Sequence, residues 1–173
     1  MQSAAAETKN STQNKGLYMS LAREIAPHLP LLRRYARALT GAQASGDAFV
    51  AASLEAIVAN PAEFPSNMEP RAGLYKVFHR IWESANIEVD GEEDSPTARK
   101  AQERLQQLAP ITRQVLLLTT LENFTPQETS EILDRDADEV NALLDEAIEE
   151  LDKQTKARVL IIEDEAVIAM DLS

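Results

Sequence analysis

The segment 125–151 constrains the fold most, because two helix-start signals and one apolar stripe follow each other as in a helix-turn-helix. The first helix has Thr125 as its N-cap, a proline in its first turn and Glu128 to complete a capping box. Asp136 and Glu139 repeat the cap-and-glutamate pattern for the second helix. Its apolar residues recur at the spacing of one helix face: Val140, Leu143, Leu144, Ala147, Ile148 and Leu151.

The second of these helices is acidic where a DNA-reading helix is basic. Between positions 136 and 152 there is no lysine or arginine and there are eight acids: Asp136, Asp138, Glu139, Asp145, Glu146, Glu149, Glu150 and Asp152. Lysine and arginine supply most of the affinity for the phosphate backbone of DNA, so this helix is expected to be repelled by it. Such a charge run can also be an ordinary solvated face. We favour a third interpretation, in which the surface binds a protein.

The net charge of −12 is concentrated in this part of the chain. Residues 119–155 contain twelve acidic and two basic residues, so they carry ten of the twelve net negative charges. The chain has no cysteine, which excludes disulfides, cysteine-bound zinc and thiol catalysis, and which fits a cytoplasmic protein. No apolar run approaches the roughly 18 residues that cross a bilayer. The polar stretch 1–18 lacks the apolar core of a secretory signal and is expected to be a flexible tail.

The residues that follow predict an all-α chain of two small helical modules. The first module, 19–87, contains one helix that ends at Gly41, a second that Asp47 caps and Asn60–Pro61 ends, and a third over 71–87. An acidic linker, 88–98, separates it from the second module, 99–155, which includes the helix-turn-helix. Apart from the last residues, nothing in the sequence has the alternation of a β-strand.

The C-terminal segment 156–173 has a different character. Residues Arg158 to Ile162 form a β-branched apolar run that predicts a buried strand, and Glu163 and Asp164 follow it directly. An apolar strand that ends in adjacent acids is typical of the start of a doubly wound α/β domain. We therefore expect this segment to be the truncated start of such a domain.

No pattern in the sequence predicts an enzyme, since neither a glycine-rich phosphate loop nor a nucleophile–base pair is evident. His28 and His79 stand alone and are expected in the core or at its rim, because no cluster with metal-ligand spacing surrounds either. The aromatic residues either fill the core or line a peptide groove, and the sequence does not separate these alternatives. They are Phe49, Tyr75, Phe78 and Trp82.

Taken together, these segments resemble the PhyR family of alphaproteobacterial response regulators, in which a sigma-factor-like domain precedes a receiver domain. LPLLRRYARALTG and PRAGLYKVFHRI are similar to region two of extracytoplasmic-function sigma factors. LQQLAPITRQVLLLTTLENFTPQETSEIL is similar to their region four, and RVLIIEDEAVIAMDLS resembles the first strand and acid pair of a receiver. The order of the pieces is what makes the resemblance specific.

The resemblance implies an anti-anti-sigma factor, which binds a small NepR-type anti-sigma protein and thereby frees the true sigma factor in the general stress response. It also implies a phosphorelay, with a sensor histidine kinase that acts on the intact protein. Glu163 and Asp164 would be magnesium ligands of the intact receiver, idle in this chain, which is expected to need no cofactor. Neither DNA nor a membrane is an expected partner.

The alternative is a DNA-binding sigma factor of the extracytoplasmic-function class, which would bind promoter DNA and polymerase. The acidic second helix argues against it. If the chain mimics a sigma factor, the residues expected to contact the anti-sigma protein lie on this helix and in the first module. They are Asp138, Glu139, Asp145, Glu146, Glu149, Phe49 and Tyr75.

Overall fold

The computed structural model describes residues 16, 19–85 and 104–171, with side chains up to residue 154. Every regular element in this part of the chain is helical, which confirms the predicted all-α fold. Residues 19–25 are helical and lead through a 3₁₀ turn, Ala26–His28, into the main helices. These are α1 (Leu29–Thr40), α2 (Gln43–Ala59), α3 (Pro70–Ala85), α4 (Pro110–Leu116), α5 (Pro126–Leu133) and α6 (Ala137–Asp171). A 3₁₀ turn, Pro61–Glu63, follows α2, and a π-helical turn, Leu117–Leu121, extends α4.

Most helix ends lie where local chemistry predicts them. Gly41 adopts a left-handed conformation with φ 78° and donates to the carbonyl of Arg37, so α1 ends there. The capping box of α5 is complete, because the Glu128 amide donates to Thr125 Oγ1 and the Thr125 amide donates to Glu128 Oε2. These bonds from Thr125 hold the pKa of Glu128 below its usual range.

The predicted cap of α2 is wrong. The helix begins at Gln43, and Asp47 lies inside it, 3.8 Å from Arg33. The reason is a short turn closed by Thr40, whose hydroxyl donates to the Ala42 carbonyl and accepts from the Ala42 amide. With the turn already closed, the helix needs no later start signal.

The two halves of the described chain, residues 19–85 and 104–154, share one apolar core. Leu32, Tyr35 and Phe78 of the first half belong to the same buried cluster as Leu118 and Ile132 of the second. Helix α3 packs against α5, and α6 packs against α4 and α5. The predicted linker 88–98 lies outside the described residues, so the division into two modules stays a prediction. None of the described helices is both long and apolar enough to cross a membrane.

The β-strand predicted over Arg158–Ile162 is wrong, because the backbone continues as helix α6 to Asp171. A single strand has no neighbour to accept its hydrogen bonds, whereas a helix satisfies its backbone groups locally. No glycine or proline interrupts residues 137–171, so nothing in the sequence ends the helix earlier. The side chains of this segment, including those of Glu163 and Asp164, lie outside the description. That it begins a receiver domain stays a prediction.

Gly46 allows α1 and α2 to approach closely, and this gives a first test. A Cβ atom at this position would lie 2.8 Å from the Arg37 amide nitrogen, which belongs to the α1 backbone and cannot move aside alone. We expect Gly46→Ala to lower the free energy of unfolding by about 1–3 kcal/mol. At an exposed helical site the same change would raise it by about 1 kcal/mol. Urea unfolding measures the effect, and Ser45→Ala, at a half-buried neighbour, is the control. Equal stability of the two variants would contradict the close packing.

His79 gives the stability of the core a defined pH dependence. The residue is buried beside Tyr35, whose hydroxyl lies 2.8 Å from His79 Nε2, and burial lowers the pKa of His79 to about 3. In the unfolded chain the value is about 6.5. Between these two pH values the unfolded state binds a proton that the folded state does not. Stability therefore falls as the pH drops below about 6.5, by up to about 1.4 kcal/mol per pH unit.

The measurement is urea unfolding at several pH values between 7 and 4. We expect His79→Gln to flatten the loss of stability in this range relative to the unchanged chain. His28→Gln is the control, because it removes the other histidine of the chain. A parallel loss of stability in the unchanged chain and in the His79 variant would show that carboxylates alone cause it.

Candidate protein-interaction site

The outer face of α6 is a surface of carboxylates. The five acids that were predicted to contact a partner are all exposed on this helix: Asp138, Glu139, Asp145, Glu146 and Glu149. The helix start positions them, since the Asp138 amide donates to Asp136 Oδ1 at 2.8 Å, as the predicted cap requires. Glu139 does not complete a second capping box. It instead forms an ion pair with Arg135 at 2.7 Å.

The inner face of α6 is narrower than its apolar pattern predicts. Val140 and Ala147 are fully buried, but Ile148 is 52% exposed. At 100° per residue, Ile148 lies about 80° around the helix from Val140, beyond the edge that packs against α4 and α5. The placement of Ile148 on the buried stripe was therefore wrong. It leaves a large apolar side chain on the exposed surface, one helical turn from Asp145 and from Asp152.

The outer surface of α6 has no cation between Ala137 and Asp152. Lys153 is the next basic residue, and its Nζ lies 4.0 Å from Glu149 Oε2. A helix that enters a groove of DNA must place donors or cations near the phosphates. This face offers no cation, so its field repels a polyanion and attracts a basic partner.

A second cluster of polar groups lies at the seam between the halves and converges on Glu122, whose side chain is fully buried. Its Oε1 accepts from Arg34 Nη2 at 2.8 Å, and its Oε2 accepts from Arg71 Nη2 at 3.0 Å and from the Tyr75 hydroxyl at 2.7 Å. All three donors belong to the first half, Arg34 on α1 and the other two on α3. We call Glu122, Arg34, Arg71 and Tyr75 the seam cluster.

The chain geometry before α5 directs Glu122 into the seam. In the π-helical turn the Glu122 amide donates to the carbonyl of Leu117, and the following residue, Asn123, is left-handed with φ 56°. This sharp reversal also places the Phe124 ring 4.2 Å from the Arg71 guanidinium, in a cation–π contact. Arg71 Nη2 donates further to the Glu122 carbonyl at 2.6 Å.

Tyr75 is part of the core in this structure. Burial raises the pKa of Tyr75 well above its usual range, and the hydrogen bond to Glu122 adds to the shift. The phenol therefore stays neutral and acts as a donor to the carboxylate. Tyr75 was predicted among the residues that contact a partner, but it is fully buried and has no free surface here.

Lys76 forms a second polar contact across the seam. Its ammonium group donates to the Glu131 carbonyl at 2.7 Å and forms an ion pair with Asp134, both at the end of α5. Two of the bases on α3, Arg71 and Lys76, are thus directed towards the second half. Of the bases on α3, Arg80 alone is exposed.

The remaining predicted residues are dispersed. Phe49 is half-buried against Trp82, with the ring centroids 4.8 Å apart, and Phe78 is fully buried. Of the aromatic residues, Tyr75 and Phe78 therefore belong to the core, while Phe49 and Trp82 keep an exposed edge.

His79 is a core residue as predicted. Among the side chains described, no group of three or more histidines and acids could hold a metal ion.

Comparison with known families identifies both halves. The sequence model of the Sigma2 domain of PhyR matches residues 25–79, and that of the sigma-like domain of the response regulator PhyR matches residues 105–154. The phyllosphere-induced regulator PhyR of Methylorubrum extorquens is 46% identical over 155 residues, which cover 89% of this chain and 57% of that protein. The chain thus spans little more than half the length of this relative.

Solved structures share the fold. The structure of the PhyRSL–NepR complex from Sphingomonas sp. Fr1 is 46% identical and matches with a TM-score of 0.70 over 79% of this chain and 90% of that chain. The sigma factor RpoE of Bartonella quintana, solved in complex with the anti-sigma factor NepR, matches with a TM-score of 0.69 over 79% of this chain and 97% of that chain. Its identity is 16%, so this second match shows a common fold alone.

Proposed function

The chain belongs to the PhyR family of response regulators, and from this premise we propose that it is an anti-anti-sigma factor that binds a NepR-type anti-sigma protein. In this proposal the chain has the fold of a sigma factor, and the anti-sigma protein binds it in place of the true sigma factor. The true sigma factor is thereby released. The solved PhyRSL–NepR complex of a 46% identical relative supports the choice of partner. The chain catalyses no reaction in this role.

One observation carries the proposal most directly, namely the charge of α6. A sigma factor and its mimic need the same backbone shape, but only the sigma factor needs cations on its recognition helix. Here the shape is present, while Asp138, Asp145, Glu146 and Glu149 occupy the exposed surface. The acidic surface prevents the mimic from competing for promoters and leaves the fold free for a protein partner.

The surface also indicates what kind of segment docks on it. Ile148 is exposed among carboxylates, so a partner helix with one apolar and one basic face matches α6. The apolar face would cover Ile148, and the basic residues would pair with the acids around it. Charges at the rim of such a contact act mainly on the rate of encounter, whereas the buried apolar anchor acts on the lifetime.

The proposal extends to the intact protein. Residues 156–173 would begin a receiver domain in which Glu163 and Asp164 take part in binding magnesium, an ion that prefers oxygen ligands. A sensor histidine kinase would act on that receiver, and phosphorylation would expose the sigma-like surface as part of the general stress response. Such a phosphorelay places the protein in the cytoplasm.

The deciding experiment compares the two candidate partners directly. The purified chain is titrated with a NepR-type anti-sigma protein and, separately, with duplex promoter DNA at low and moderate salt. We expect a complex with the anti-sigma protein and no DNA binding, with a true sigma factor of the extracytoplasmic-function class as the positive control for DNA. Binding of duplex DNA that weakens linearly with the logarithm of the salt concentration would instead identify a DNA-binding sigma factor.

Charge reversal on α6 tests the docking surface. We expect Glu146→Lys combined with Glu149→Lys to lower the association rate with the anti-sigma protein about tenfold at low salt and to weaken its salt dependence. The matched control is Glu55→Lys with Glu63→Lys, which changes the net charge equally at exposed acids of the first half. Stopped-flow or surface-based kinetics give the rates. Equal rates for both double variants would move the contact away from α6.

A further inference from the structure

The seam cluster can fix the orientation of one half relative to the other, whereas the shared apolar core cannot. Apolar burial is non-directional and tolerates small rotations of one half against the other. Hydrogen bonds weaken steeply when the donor–acceptor angle falls, so they select one arrangement. Both oxygens of Glu122 are held, Oε1 by Arg34 and Oε2 by Arg71 and Tyr75. The carboxylate is thus fixed in position and in orientation by two helices of the other half.

The backbone around Glu122 is held by the same two arginines. Arg34 Nη2 donates to the Leu121 carbonyl at 3.0 Å, and Arg71 donates to the Glu122 carbonyl. The seam cluster therefore holds the backbone at Leu121 and Glu122 as well as the Glu122 side chain. At the far end of α5, Lys76 binds the Glu131 carbonyl and the Asp134 carboxylate. Two separate anchor points restrict how one half can rotate about the other.

We infer that Glu122 is a positioning residue, which fixes the angle between the two sigma-like halves so that the anti-sigma protein can engage both at once. This inference rests on the proposed function. A partner that contacts both halves gains the second contact at low entropic cost only if the halves are already oriented. Without the seam cluster, fewer molecules have the arrangement that can bind the partner, so the apparent affinity for the partner falls.

The test measures orientation and affinity separately. The chain has no cysteine, so Glu55→Cys in α2 and Ala142→Cys in α6, both exposed, introduce a single pair of spin labels across the seam. Double electron–electron resonance then gives the distribution of distances between the halves in the free protein. Affinity for the NepR-type anti-sigma protein is measured by calorimetry on the unlabelled chain.

The variant is Glu122→Gln, which keeps the shape of the side chain but removes its charge. We expect a broader distance distribution and an affinity at least tenfold weaker, measured where circular dichroism shows a folded chain. Glu131→Gln is the matched control, since that exposed side chain makes no described contact with the first half, and we expect it to change neither quantity. Tyr75→Phe removes one donor to Glu122 and keeps the ring, so it should give the same two effects, smaller in size.

The outcomes are distinguishable. An unchanged distance distribution in folded Glu122→Gln, or a broadened one with unchanged affinity, would overturn the inference. If Glu122→Gln does not fold, Tyr75→Phe decides on the same two measurements. If the unchanged chain does not bind the anti-sigma protein at all, the proposed function fails. In that case the distance measurement still establishes whether Glu122 fixes the angle between the halves.

Discussion

The arrangement of the two halves depends on one interaction, in which the buried carboxylate of Glu122 binds Arg34, Arg71 and Tyr75. A carboxylate removed from water is strongly destabilising unless cations and hydrogen-bond donors replace its hydration. Here two guanidinium groups and a phenol from the first half take that place. A rotation that withdrew the guanidinium groups while Glu122 stayed buried would leave its carboxylate uncompensated, which costs about 3–5 kcal/mol. The ionic contact therefore favours one compact arrangement.

This arrangement explains how a fold that the sigma factor RpoE of Bartonella quintana shares accommodates an acidic outer face on α6. The inner side of α6 has Val140 and Ala147 in contact with α4 and α5, and the cap at Asp136 fixes where the helix begins. None of these positions needs a charge on the outer side. The outer residues are consequently free to be acidic, and the seam retains the backbone shape without them. Surface charge and fold are set by different residues.

The sequence predicted what depends on neighbouring residues along the chain. Gly41 as a helix end and Thr125 with Glu128 as a capping box are decided within one helical turn, and both were found as predicted. Glu122 was not recognised, because its partners Arg34 and Arg71 are 88 and 51 residues away and no periodicity connects them. The strand predicted over Arg158–Ile162 failed for a related reason, since β-propensity requires a neighbouring strand to become structure.

Tyr75 illustrates how a residue type that suggests a surface contact can instead belong to the core, since this side chain is fully buried here. Its type and its place on α3 suggested an aromatic contact, whereas the structure has its hydroxyl on Glu122 and its ring against Phe124 at 5.0 Å. Burial and the hydrogen bond keep the phenol neutral, so it donates to the carboxylate at any physiological pH. In the complex that we propose, the acids of α6 select a basic partner. There Tyr75 acts through Glu122 to hold the angle at which that partner meets the two halves.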